Sequence, residues 1–128
     1  MKNYLPSEYE VQLRPNDFDW SLQLNNSVYL QILEIGRWKW AEQNKLNFVD
    51  CDIAAVVSSI NIEYLKPVDW NPVATIIIKT ELTKIENYSI FMLQNIEDNA
   101  SVITTAKVRL AMYDLVKKSV VPVKTVLK

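Results

Sequence analysis

The 128-residue chain has no histidine, one cysteine and one glycine. Each scarcity excludes something. Without histidine there is no Ser-His-Asp or Cys-His catalysis, no imidazole proton transfer and no histidine metal ligand. The lone cysteine, Cys51, forbids an intrachain disulfide and leaves no zinc site of the usual kind. A nucleic-acid binder would show a basic excess, but the net charge is −1 and no basic run exceeds Lys117-Lys118. The same scatter of charge argues against a polybasic membrane patch. No segment approaches the ~20 consecutive apolar residues of a membrane span. The start, MKNYLPSEYEV, carries no apolar stretch of signal-peptide length, so a cytoplasmic location is expected. Any chemistry must rest on carboxylates, hydroxyls, amides, amines such as that of Lys84, or backbone dipoles.

What is present suits one compact unit. Apolar residues make up 49% of the chain, with four tryptophans and six tyrosines, enough large side chains for a core at this size. Length sets the expectation of a single domain over residues 1–128.

The first periodic segment is Glu8 to Arg14. There Val11 and Leu13 alternate with polar neighbours, as on a half-buried strand, and Pro15 ends it. Asn25-Asn26-Ser27 is a helix-start signal, because these side chains accept from the free amides of a first turn. The helix is expected over Ser27 to Gln43. Its apolar residues (Val28, Tyr29, Leu30, Ile32, Leu33, Ile35, Trp38, Trp40) cover more than one face, which predicts burial on most sides. Glu34 and Arg37, three apart, are placed to pair across one turn. Gly36, mid-helix, weakens the helix by about 1 kcal/mol relative to alanine, which a close helix–sheet contact would explain. Asn44 to Asp52 reads as a connection packed by Leu46 and Phe48.

Strands are then expected at Ile53–Tyr64, Val73–Ile85, Tyr88–Ile96 and Ser101–Tyr113, with a short one near Val120–Val123. The breaks are Lys66 to Pro72, Glu86-Asn87 and Glu97-Asp98-Asn99. A strand, a long helix and a helix-free run of strands predict antiparallel hairpins. The fold class is thus α+β, a curved antiparallel sheet wrapped around one long central helix. Such a sheet leaves an open edge, so a homodimer or homotetramer is expected.

Chemistry concentrates in Arg14 to Tyr29, RPNDFDWSLQLNNSVY. Asp17 and Asp19 lie in a loop just before a helix N-terminus, where free amides and a partial positive charge await. Amides there can stabilise an oxyanion while a carboxylate attacks or activates water. An aspartate before a helix is, however, most often a turn or capping residue.

The segment resembles the 4-hydroxybenzoyl-CoA thioesterase-like branch of the hotdog superfamily. That branch reads Arg-x-x-Asp-x-Asp-x-x-Gly-His-Val-Asn-Asn-x-x-Tyr-Leu. Here Arg14, Asp17, Asp19, Leu22, Gln23, Leu24, Asn25, Asn26, Tyr29 and Leu30 stand at the same spacing. Leu33 to Trp38 is similar to the family's Phe-Glu-Glu-Ala-Arg-Trp, and Ile60 to Pro67 to its strand ending in Tyr-Leu-Arg-Pro.

The resemblance implies a hotdog fold and hydrolysis of an acyl-CoA thioester, with coenzyme A entering only as part of the substrate and no separate cofactor or metal. It implies Asp19 as nucleophile or general base, and the amide near Asn26 as the group that polarises the carbonyl. Gln23 stands where the family has histidine. It cannot transfer a proton, but it can donate a hydrogen bond to a substrate carbonyl. Leu22 replaces the family's glycine and loses its backbone freedom. Asp17, Trp20 and Asn25 are expected to contact substrate, with Phe18 and Trp20 suiting aryl or fatty groups alike. Ser58 and Ser59 are further contact candidates in a dimer-related pocket, although ordinary strand serines are commoner. Lys66, Lys84, Lys107 and Arg109 are candidates for coenzyme A phosphates. Cys51, flanked by Asp50 and Asp52, is expected to be inert. Two readings stay open: a thioesterase, favoured by Asp19, and a catalytically weak protein binding an acyl thioester or a protein partner, favoured by the lost Gly-His. A hotdog dehydratase is set aside, since those enzymes use a histidine.

Overall fold

The structure, a computed structural model, describes residues 3–46, 48, 52–71, 73–99 and 101–127. Strand β1 is Ser7–Gln12, followed by a 3-10 turn at Pro15–Asp17 and helix α1 at Asn26–Gln43. Strands β2 (Ile53–Tyr64), β3 (Thr75–Ile85), β4 (Ile90–Glu97), β5 (Val102–Asp114) and β6 (Ser119–Val121) follow. A last 3-10 turn, Val123–Thr125, takes the place of the expected end of the final strand. Pro122, which has no N–H to extend a ladder, ends β6.

The strands form one antiparallel sheet in the order β1-β3-β4-β5-β2, with β6 also on β5. One helix packs against this curved sheet. β3, β4 and β5 are joined as hairpins. The turn after β3 is closed by Glu86 N–H to the Ser89 carbonyl at 2.8 Å, and the next by Asp98 N–H to the Ser101 carbonyl at 3.1 Å. β2 departs from a simple run of hairpins. It pairs with β5, not with the following β3. β1 already occupies that flank of β3, and the Pro67-containing stretch between β2 and β3 pairs with the Asp19 loop instead, through a Gln23–Asp69 bridge.

Helix α1 starts where the Asn25 side-chain oxygen accepts the Ser27 N–H at 3.1 Å. It ends at Asn44, whose amide donates to the Trp40 and Leu5 carbonyls, both at 2.9 Å. Val28, Tyr29, Ile32, Leu33, Gly36, Trp40 and Ala41 are buried. The expectation of burial on most sides does not hold: Leu30, Ile35 and Trp38 are exposed, Trp38 to 56%. A single sheet covers only one side of a helix, and α1 packs chiefly on β1, β3 and β4.

Gly36 faces that sheet. A Cβ there would lie 2.7 Å from Thr80 Oγ1 and 2.9 Å from Gln94 Nε2, and would collide with Ile78. Glycine is the side chain this contact admits, which accounts for the weakened helix position. The inward faces of β3 and β4 (Ile76, Ile78, Ile90, Met92, Ile96) complete the core with Ile103, Val108 and Met112 of β5. β2 is an edge, and Ala55 to Ser59 are exposed along it.

Candidate functional site

The loop before α1 is built from its first carboxylate outward. Asp17 is buried, and both its oxygens are occupied by Arg14: Oδ2 accepts the backbone N–H at 2.7 Å and Oδ1 accepts Nη2 at 3.1 Å. The chain then doubles back. Asn25 N–H donates to the Asp17 carbonyl at 2.7 Å, Phe18 and Leu24 form a bridge, and Asp19 N–H donates to the Gln23 carbonyl at 2.9 Å. Phe18 and Leu24 are buried, so this small ladder is rooted in the core.

The turn at the end of the ladder contains Leu22 at φ 64°, the left-handed region. A leucine there carries strain of roughly 1–2 kcal/mol, because its Cβ crowds the following carbonyl. The turn gathers polar groups onto Asp19. Its Oδ1 accepts from the Ser21 hydroxyl, from Ser21 N–H at 3.0 Å and more weakly from Gln23 N–H at 3.4 Å. The Ser21 hydroxyl above all holds the carboxyl below its ordinary value; partial desolvation opposes this and the Gln23 and Ser21 amides add to it. Asp19 is therefore an anion at neutral pH. Its Oδ2 has no hydrogen-bond partner among the described residues.

The helix start is half occupied. Asn25 serves as the cap and takes the Ser27 amide, while the Asn26 N–H has no acceptor among the described residues. It thus remains a free donor at the positive end of the helix. A second wall comes from the segment after β2. Leu24 N–H donates to the Val68 carbonyl at 2.9 Å and Trp70 N–H to the Leu22 carbonyl at 2.8 Å. Trp70 also meets Phe18 edge-on at 5.2 Å, and Tyr64 meets Tyr29 of the first helical turn at 4.9 Å. Burial, first of all, raises the Tyr29 phenol above its ordinary value.

The other residues singled out from the sequence are dispersed. Trp20 is 97% exposed on the turn, and Gln23 and Asn26 are also exposed. Ser58 and Ser59 lie on the β2 edge, where Ser58 Oγ donates to the Arg109 carbonyl at 3.2 Å. Three of the basic candidates are engaged within the protein: Lys66 with Asp98 at 2.7 Å, Lys84 with Glu86 at 3.0 Å and Arg109 with Ser89 Oγ at 3.1 Å. Lys107 is exposed. Cys51 lies outside the described residues. Among the described residues, no group of three His, Cys, Asp or Glu is placed to hold a metal, and no helix is long and apolar enough to cross a membrane.

The expected Glu34–Arg37 pair is not formed. Arg37 Nη1 instead donates to Gln94 Oε1 at 3.1 Å, and Glu34 acts on it only through its charge. The Gln94 carboxamide, fully buried, spends its Nε2 on the Leu33 carbonyl and Thr80 Oγ1, both at 2.9 Å. Sequence reasoning missed this network. Its signal was a glutamine at an inward position of an otherwise apolar alternation, Ile90, Met92, Gln94, Ile96.

A sequence model of the thioesterase-like superfamily matches residues 13–128. The chain belongs to that superfamily. The match begins one residue before Arg14 and includes the whole Asp19 loop. No curated protein sequence matches the chain. Solved structures share its fold. A protein described as "Probable Thioesterase from Bartonella henselae" is 21% identical, with a TM-score of 0.85 over 93% of this chain and 99% of that one. The DHNA-CoA thioesterase of Staphylococcus aureus is 17% identical, with a TM-score of 0.85 over 94% of this chain and 82% of that one. The 1,4-dihydroxy-2-naphthoyl-CoA thioesterase of Synechocystis is 15% identical, with a TM-score of 0.79 over 92% and 89%. The superfamily member described here thus has the hotdog fold expected from its sequence.

Proposed function

We propose that this protein hydrolyses an acyl-CoA thioester. Asp19 acts as nucleophile or general base, and the Asn26 amide polarises the thioester carbonyl. One observation carries the reading: an ionised carboxylate with a free oxygen stands on a ladder that leads directly into a helix start whose first amide is unpaired. Attack by the carboxylate or by a water it deprotonates places negative charge on the carbonyl oxygen. A preorganised amide is worth most at that moment. Collapse expels the coenzyme A thiolate: in the general-base route it takes the proton that Asp19 removed from water, and in the nucleophile route it is protonated by solvent while water hydrolyses the mixed anhydride left on Asp19, releasing the carboxylic acid and restoring the carboxylate. In this reading the Gln23 side chain, exposed on the same turn, donates to the same oxygen. That solved neighbours of this fold act on coenzyme A thioesters supports this substrate class.

The working unit in this proposal is a homodimer made through β2, whose open edge is long and exposed. A two-fold pairing centred between Ser58 and Ser59 sets Tyr64 of one copy opposite Ile53 of the other. Tyr64 touches Tyr29 beside the Asp19 loop. Ile53 to Val57 line an apolar groove beside the second half of α1. Each carboxylate therefore comes to stand by the groove of the other copy, and the groove becomes the place for the acyl group. A hydrolysis screen over short, long and aromatic acyl-CoAs tests the function. Turnover of any of them supports it; binding without turnover favours instead the weak binder suggested by Leu22 and Gln23.

A further inference from the structure

The groove has a volume of about 670 Å³ and mostly apolar walls, among them Trp38, Ala41, Val57 and Leu110. It lies on the side of the sheet away from β1 and β3, where α1 chiefly packs. Arg37 is on its wall. This arginine is half-buried, and its position is set from behind. Gln94 cannot rotate without losing Leu33 and Thr80, so its oxygen stays toward the guanidinium. A guanidinium has five N–H donors. Among the described residues only Nη1 has an acceptor, and Glu34, also on the groove wall, is exposed and makes no ion pair with Arg37. A partly desolvated cation with unfilled donors beside an apolar channel calls for an anionic acceptor, and a carboxylate matches its planar fork best.

We propose that the acyl group received by this groove carries a carboxylate of its own, remote from the thioester, which Arg37 holds: the substrate class is the half-thioester of a dicarboxylic acid. The inference rests on the hydrolase reading for the thioester end alone.

The test is binding to the wild-type protein of two non-hydrolysable thioethers of coenzyme A, the octyl and the ω-carboxyheptyl, followed by tryptophan fluorescence. The carboxylated compound should bind at least about tenfold more tightly, the scale of one charge-assisted pair. Arg37→Met, which keeps most of the stem, should bring the two affinities together, chiefly by weakening binding of the carboxylated compound. Equal affinities in the wild-type protein overturn the inference without recourse to the variant. A preference that survives Arg37→Met in a variant melting cooperatively also overturns it. Failure of the hydrolase reading looks different: the wild type would turn over neither octanoyl-CoA nor octanedioyl-CoA, while the binding preference, being independent of turnover, would still support the carboxylate site.

Discussion

Asp19 and Gln23 face each other across a two-sided contact: the Asp19 N–H donates to the Gln23 carbonyl at 2.9 Å, and the Gln23 N–H points back to the Asp19 carboxylate at 3.4 Å. The residue expected to react and the residue at the family histidine's position are thereby tied together through the Gln23 backbone. Asp19→Asn keeps the shape and removes the charge. It should lower kcat by at least ~100-fold, the usual scale for a positioned base. Asp17→Asn should instead lower the melting temperature, because it breaks into the Arg14 bonds, and should cost less in kcat. Steady-state kinetics beside thermal melts separate the two; equal kcat for Asp19→Asn and wild type sinks the mechanism.

The pH dependence has a definite sign. The folded Asp19 carboxyl lies below its ordinary value of 3.8, with the Ser21 hydroxyl as the main cause. Its contribution to loop stability is thus fully present above that ordinary value, and is lost as pH falls through the lower folded value. Activity should hold through neutrality and fall only in acid. A rate profile with an inflection near neutral pH would contradict Asp19 as the essential ionisation.

Leu22→Gly should stabilise the protein by about 1 kcal/mol, since glycine enters the left-handed region without the steric cost. Urea unfolding measures this directly. An unchanged or lower midpoint would show that the turn relaxes around leucine.

Gly36→Ala should destabilise by ~1–3 kcal/mol although alanine is the better helix former by about 1 kcal/mol. The added methyl has nowhere to go between Ile78, Thr80 and Gln94. A melting temperature at or above wild type would mean the helix slides off the sheet at little cost.

Light scattering at micromolar concentration should report twice the 14.9 kDa chain mass or a higher even multiple. Val57→Lys, a charge on the exposed β2 edge, should shift the population toward monomer and lower activity with it. A monomeric wild type would remove the shared site.

Much of this protein was legible residue by residue. The cap at Asn25, the proline-free run to Gln43 and the period-two alternation of Ile90 to Ile96 mark the helix and a strand through forces acting within a few residues. The loop carrying Asp17 and Asp19 before a helix start was legible for the same reason. Which strand takes which neighbour was not: β2 pairs with β5, some fifty residues on, because β1 holds the flank of β3. Nor was the partner of Arg37 legible, since a helix residue three positions from a glutamate can also reach inward. Only packing α1 over β4 brings Gln94 within 3.1 Å of it. Local spacing decides periods and caps; burial decides partners, because which groups lose water is settled only when distant elements close on one another.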